Sequence, residues 1–128
     1  MLALVAAVCA LLAAPSGASR GPTRSEARAI ERVALRACER AGAPSPCRYH
    51  RARVSTRDPR YAWADVTTEG FSAVLLRRPS RGSTRFRVIG VQGGGIGDCR
   101  VWRRKAPRAV LRDLRVSGLR ADGSVGRC

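Results

Sequence analysis

The chain has 128 residues, with 25 Lys and Arg against nine Asp and Glu, a formal net charge of +16 and one histidine. That length allows one domain and excludes a second. So cationic a chain attracts polyanions at low salt whatever its role, and a single histidine argues against a metal centre.

Residues 2–14, LALVAAVCALLAA, are thirteen apolar residues in a row, short of the about 20 that a bilayer-spanning helix needs. Ser16 and Ala18 follow in the small-x-small pattern of a cleavage site, so residues 1–18 are expected to be a signal peptide cut after Ala18. The remainder is expected to be secreted or extracytoplasmic, where disulfides persist. Four cysteines stay with it, Cys38, Cys47, Cys99 and Cys128, and four allow three connectivities. Proximity favours Cys38 with Cys47 and Cys99 with Cys128. Loop-closure entropy hardly separates the choices, at about 2.7 kcal/mol for ten residues against about 4.3 for sixty.

Residues 19–22 read as a linker into a single domain over 23–128. Thr23 and Glu26 fit a capping box, and Ile30, Val33, Ala34, Ala37, Cys38 and Ala41 recur on one helical face. Gly42, Pro44 and Pro46 stop the pattern, which predicts a helix over 23–41. Arginines at 24, 28, 32, 36 and 40 form a cationic row on it, with Glu31 and Glu39 spaced to pair with Arg28 and Arg36.

From Arg48 the period becomes two. Alternating runs over 48–55, 61–68, 71–78 and 85–91, separated by Asp58-Pro59, Glu69-Gly70 and the loop 79–83, predict a four-stranded antiparallel meander. Gly93, Gly94, Gly95 and Gly97 follow, a corner where backbone bends or is closely approached. They read as a turn or as a backbone nest for an anion, without the Lys and Ser/Thr of a P-loop. Pro107, Val110, Leu111 and Leu114 predict a short second helix. The residues from about 115 onward form a loosely held tail, tied by Cys128. The expected fold is α+β: an N-terminal helix packed on the meander, a short C-terminal helix and two disulfides.

Asp58-Pro59-Arg60-Tyr61-Ala62, Phe86-Arg87-Val88-Ile89-Gly90, Cys99, Pro107 and the run Val110 to Leu114 together resemble a pattern in small exported α+β proteins of high-GC bacteria. The resemblance implies export and a helix laid on a sheet, and it assigns no functional residue.

Arg100, Trp102, Arg103, Arg104, Lys105 and Arg108 place an indole among cations. Stacking plus charge is what a single-stranded nucleic acid requires, and the competing role for Trp102 is packing on the sheet. The expected function is therefore non-enzymatic: binding of an anionic envelope polymer or nucleic acid through arginines, with no cofactor. Two alternatives stand beside it. One is a secreted protease inhibitor presenting Gly42 to Pro46 between Cys38 and Cys47. The other is a small phosphodiester-cleaving enzyme using His50, flanked by Arg48 and Arg51, with Tyr61 or Glu69 as the second acid/base.

Overall fold

The computed structural model describes residues 19–42 and 46–128. The expected signal peptide lies outside them, as do residues 43–45 of the expected inhibitory loop. Helix α1 (Arg24–Arg40) starts at the predicted capping box, with the Thr23 hydroxyl accepting from the Glu26 amide and the Glu26 carboxylate accepting from the Thr23 amide at 2.9 Å. Strands β1 (Arg48–Val54), β2 (Tyr61–Thr68), β3 (Phe71–Arg77) and β4 (Arg87–Gly93) form one antiparallel sheet in the order β1-β2-β3-β4. Both disulfides take the proximal pairing, Cys38–Cys47 and Cys99–Cys128.

Alternation in the central strands divides the interior in two. Ala62, Ala64, Val66, Val74 and Leu76 face α1, where Ile30, Ala34 and Cys38 are buried. Tyr61, Trp63, Ala73 and Leu75 point to the other face. The helix covers only the first face, so the second needs its own cover, which the C-terminal third of the chain provides. Helix α2 (Cys99–Lys105) and helix α3 (Arg108–Asp113) lead into a hairpin of β5 (Ser117–Leu119) and β6 (Val125–Arg127). Sequence reading anticipated α3 and missed α2, whose N-cap is Asp98, accepting from the Arg100 amide at 2.8 Å.

The C-terminal tail is also more than a strand of chain tied by Cys128. Val116, Leu114 and Cys128 are buried in the second core. Backbone bonds run from Cys128 N to Val116 O at 2.9 Å and from Leu119 N to Gly97 O at 2.7 Å. At the other end of the domain, Arg20 of the expected linker is an antiparallel bridge partner of Val54.

Trp102 explains Gly97 at the corner and Gly90 in the strand before it. This indole is 2% exposed and meets Trp63 edge-on, with centroids 5.3 Å apart and planes at 71°. A Cβ on Gly97 would lie 2.7 Å from Trp102 Nε1, and one on Gly90 would lie 2.6 Å from the ring. Gly90 and Gly97 make room for the ring, whereas Gly93 and Gly94 pack on the backbone of Gly70. Gly97→Ala and Gly90→Ala are each expected to cost about 1–3 kcal/mol through overpacking. Gly95→Ala, whose Cβ would meet open space, should stay within about 0.5 kcal/mol of wild type. Urea denaturation of the three variants checks this, and equal midpoints for Gly95→Ala and Gly97→Ala would count against the packing role.

One charged cluster is interior. Arg78, 2% exposed, donates from Nε to Pro59 O at 2.9 Å and from Nη1 to Ser83 O at 3.0 Å, and it lies over the Phe86 ring at 4.8 Å. Its Nη2 stands 2.7 Å from Glu26 Oε2, an ion pair rather than an aligned hydrogen bond. Arg20 grips both oxygens of Glu26 from the solvent side, at 2.8 and 3.1 Å.

Candidate functional site: an arginine groove

Helix α3 presents two faces. Val110, Leu111 and Asp113 turn inward, and Arg108 and Arg112 are exposed. A spacing of four residues puts these two guanidinium stems about one turn apart on the same side, roughly 6 Å along the axis. Asp113 fixes the helix to the β1–β2 loop. Its Oδ2 accepts from Ser55 Oγ at 2.8 Å, Thr56 N at 2.7 Å and Arg57 N at 3.3 Å. At 4% exposure, that carboxylate is hydrogen-bonded to the loop and forms no ion pair with the arginines outside.

The hairpin closes the other wall. Arg120, just after β5, donates from Nε to Arg127 O at 3.3 Å, and Arg127 Nη1 donates to Arg115 O at 2.6 Å. From α2, Arg103 reaches the backbone oxygen of Cys128 at 3.3 Å, and its Nε is buried without a partner. Arg103, Arg108, Arg112, Arg120 and Arg127 thus surround an open cavity of about 470 Å³ lined by arginine alone. A neighbouring hollow of about 350 Å³ shares Arg108 and Arg112 and adds Arg57, Ala109 and Asp113, so one carboxylate does line it.

Four ion pairs occur among the described residues, joining Arg20 and Arg78 to Glu26, Arg51 to Asp65, and Arg60 to Asp58. None involves a groove arginine. The pairs expected on α1, Arg28 with Glu31 and Arg36 with Glu39, are not among them either, so that row is less neutralised than its spacing suggests. Crowding of cations extends beneath the hairpin. Burial pushes the Arg53 guanidinium down from its usual value, and Arg51, Arg115 and Arg127 push it the same way against Asp65.

The structure keeps part of the sequence-derived cluster and disperses the rest. Arg103 and Arg108 line the groove. Lys105 is drawn to β4, where its Nζ donates to Ile89 O at 2.9 Å. Arg100 and Arg104 are exposed on α2 and do not line the cavity. Trp102 is interior, so its indole is not offered to a base. Arg112, Arg120 and Arg127 were missed by sequence reading. Only the i, i+4 spacing of Arg108 and Arg112 signalled part of the set.

No Phe, Tyr or Trp side chain is exposed among the described residues; Tyr49 is half-buried and the other five are buried. What the groove offers a ligand is therefore charge and guanidinium geometry, each arginine carrying five N–H donors in a planar fork that suits phosphate. His50, the candidate for phosphodiester cleavage, is an exposed residue of β1 with its ring in hydrogen-bond contact with Thr67 Oγ1. Among the described residues no helix is long and apolar enough to cross a membrane, and no group of three His, Cys, Asp or Glu side chains is placed to hold a metal ion. No protein family, curated protein or solved structure matches the chain.

Proposed function

We propose that this is an exported, non-enzymatic protein that holds an anionic polymer in the arginine groove. The observation that carries the reading is the 470 Å³ cavity walled by five arginines, none of them ion-paired with an Asp or Glu side chain. Like charges gathered there repel one another, by about 0.5 kcal/mol for a pair about 8 Å apart in water. An anion between them relieves that cost and releases the counterions that would otherwise do so. Two disulfides and the apolar segment 2–14 support an extracytoplasmic setting.

With no exposed Phe, Tyr or Trp, the ligand is bound through its backbone charges and not through stacked bases. Phosphodiester or polyphosphate chains fit that chemistry, independent of base sequence.

Arg108→Gln, Arg112→Gln and Arg120→Gln together are expected to weaken binding of long-chain polyphosphate roughly 100-fold, at about 1 kcal/mol per arginine. They should also flatten the slope of log K against log salt by about 2–3. Arg24→Gln, Arg28→Gln and Arg32→Gln remove the same charge from the exposed face of α1 and should cost less than about fivefold, as screened long-range attraction. Fluorescence titration over a range of salt concentrations measures both. Equal losses from the two triples would mean that net charge alone drives binding, and the groove would lose its standing as a site.

A further inference from the structure

A second set of arginines without ion-pair partners lies where the end of α1 meets the edge strand β4, with Arg36 and Arg40 on the α1 side and Arg87 on the strand itself. Between the last turns of α1 and the start of β4 is an open groove of about 310 Å³, with Arg36, Arg40 and Arg87 around a floor that includes Phe86 and Val88. An adjoining hollow of about 310 Å³ shares Arg87 and adds Arg85 and Arg77. Arg36, Arg40, Arg85 and Arg87 are exposed, and none has an ion-pair partner among the described residues. Glu39, exposed between Arg36 and Arg40, forms no ion pair with either, and at the end of β3 Glu26 is held by Arg20 and Arg78 and Asp58 by Arg60. The C-terminus of α1 carries a partial charge of about −0.5, which three guanidinium groups outweigh.

Position separates this groove from the first. α1 packs on the first core, and α2, α3 and the hairpin pack on the second, with the sheet between them. Layers stack about 10 Å apart, so Arg36 and Arg40 on α1 are roughly 20 Å from the arginines of α3, two layers away, while Arg87 stands at the sheet edge between. That separation of the helical arginines exceeds the screening length of about 8 Å at physiological salt. An anion bound on one face therefore neither neutralises nor blocks the other. We infer that the α1–β4 groove is a second anion-binding surface and that the protein joins two polymer chains instead of coating one. The inference rests on the reading of the first groove, which it extends from holding a polymer to cross-linking it.

The test uses the full chain and polyphosphate alone. Long-chain polyphosphate is immobilised, loaded with protein and washed, and fluorescent polyphosphate is then offered as the second chain. Wild type is expected to capture the labelled chain. Arg36→Gln, Arg40→Gln and Arg87→Gln together should leave loading on the immobilised chain within about twofold while capture falls to about a tenth or less. The Arg24, Arg28 and Arg32 triple, equal in charge removed, should load within about fivefold of wild type and, per molecule loaded, capture like wild type. All six positions are exposed, and circular dichroism verifies that the variants are folded.

Undiminished capture by the Arg36, Arg40 and Arg87 variant, as self-association of a one-site protein would produce, overturns the inference. So does a wild type that loads well but captures nothing, which would mean that one chain wraps both faces. A wild type that fails to load at all refutes the first groove instead, so the two readings fail in different ways.

Discussion

Replacing Glu26 with Ala is expected to destabilise the fold by about 3–5 kcal/mol, the usual cost of removing one partner from a buried ion pair. Arg78 is 2% exposed and its backbone partners, Pro59 O and Ser83 O, carry no formal charge. Without Glu26 the guanidinium stays buried and uncompensated. The same substitution removes half of the α1 capping box, worth about 1 kcal/mol, and the anchor for Arg20. Arg20→Ala removes two charge-assisted hydrogen bonds to the same carboxylate from a side chain that is 38% exposed, and should cost less, about 1.5–3 kcal/mol, because Arg78 keeps its counterion. Combining Glu26→Gln with Arg78→Met in one protein should recover part of the loss, because no bare charge is left inside.

Glu26 also has a pH signature. Hydrogen bonds from Arg20, with further ones from Thr23, hold the Glu26 carboxyl down from 4.5 to about 2 against the opposing effect of burial. A carboxyl lowered by folding stabilises the native state fully above its unfolded pKa. That contribution, about 3 kcal/mol at 1.36 per unit, fades as the pH falls from about 4.5 through 2. Urea denaturation between pH 2 and 7 should show wild type losing stability in that window and Glu26→Gln losing correspondingly less. Parallel curves for the two proteins would refute the assignment.

The second large effect is expected at the Cys99–Cys128 disulfide. It closes a separation of 29 residues, for which chain entropy suggests about 3.6 kcal/mol, against about 2.6 for the nine of Cys38–Cys47. Context widens the difference. The hairpin strands are three residues each, and a lone two-stranded hairpin is marginal in water. It also carries Arg120 and Arg127 toward Arg103, Arg108 and Arg112, so the disulfide holds together surfaces that repel. Cys99→Ala with Cys128→Ala is therefore expected to lose more stability than Cys38→Ala with Cys47→Ala. Amide protection in 117–127 should fall well before the main sheet opens, and polyphosphate affinity should fall with it. Unchanged protection of the hairpin in the Cys99 variant would show that packing alone secures it. Wild type with both disulfides formed should present no thiol among Cys38, Cys47, Cys99 and Cys128 to an alkylating reagent in denaturant.

The sequence by itself determined the elements whose signals are local. Glu26, Ile30, Ala34 and Cys38 recur every four residues and are buried along one side of α1, and the capping box marks where that helix starts. Period-two runs bounded by Asp58-Pro59 and Glu69-Gly70 delimit β2 and β3 to within a residue. Neighbours along such a strand or helix constrain one another through backbone geometry alone, so spacing is enough to read them.

Only the tertiary structure decided what the second face of the sheet would bury and where the arginines would meet. Trp102 sits among cations in sequence, yet the opposite faces of α2 separate them, sending the indole to Trp63 and leaving Arg100 and Arg104 outside. Residues 117–127 are too short and too polar to declare a hairpin, which exists because Gly97, Asp98 and Cys99 give it something to pair with. Glu26 and Arg78 look like two more surface charges until the fold brings them together. The groove has the same origin. Arg103, Arg108, Arg112, Arg120 and Arg127 belong to three separate elements and the turn between the hairpin strands, and charge acts through space rather than along the chain.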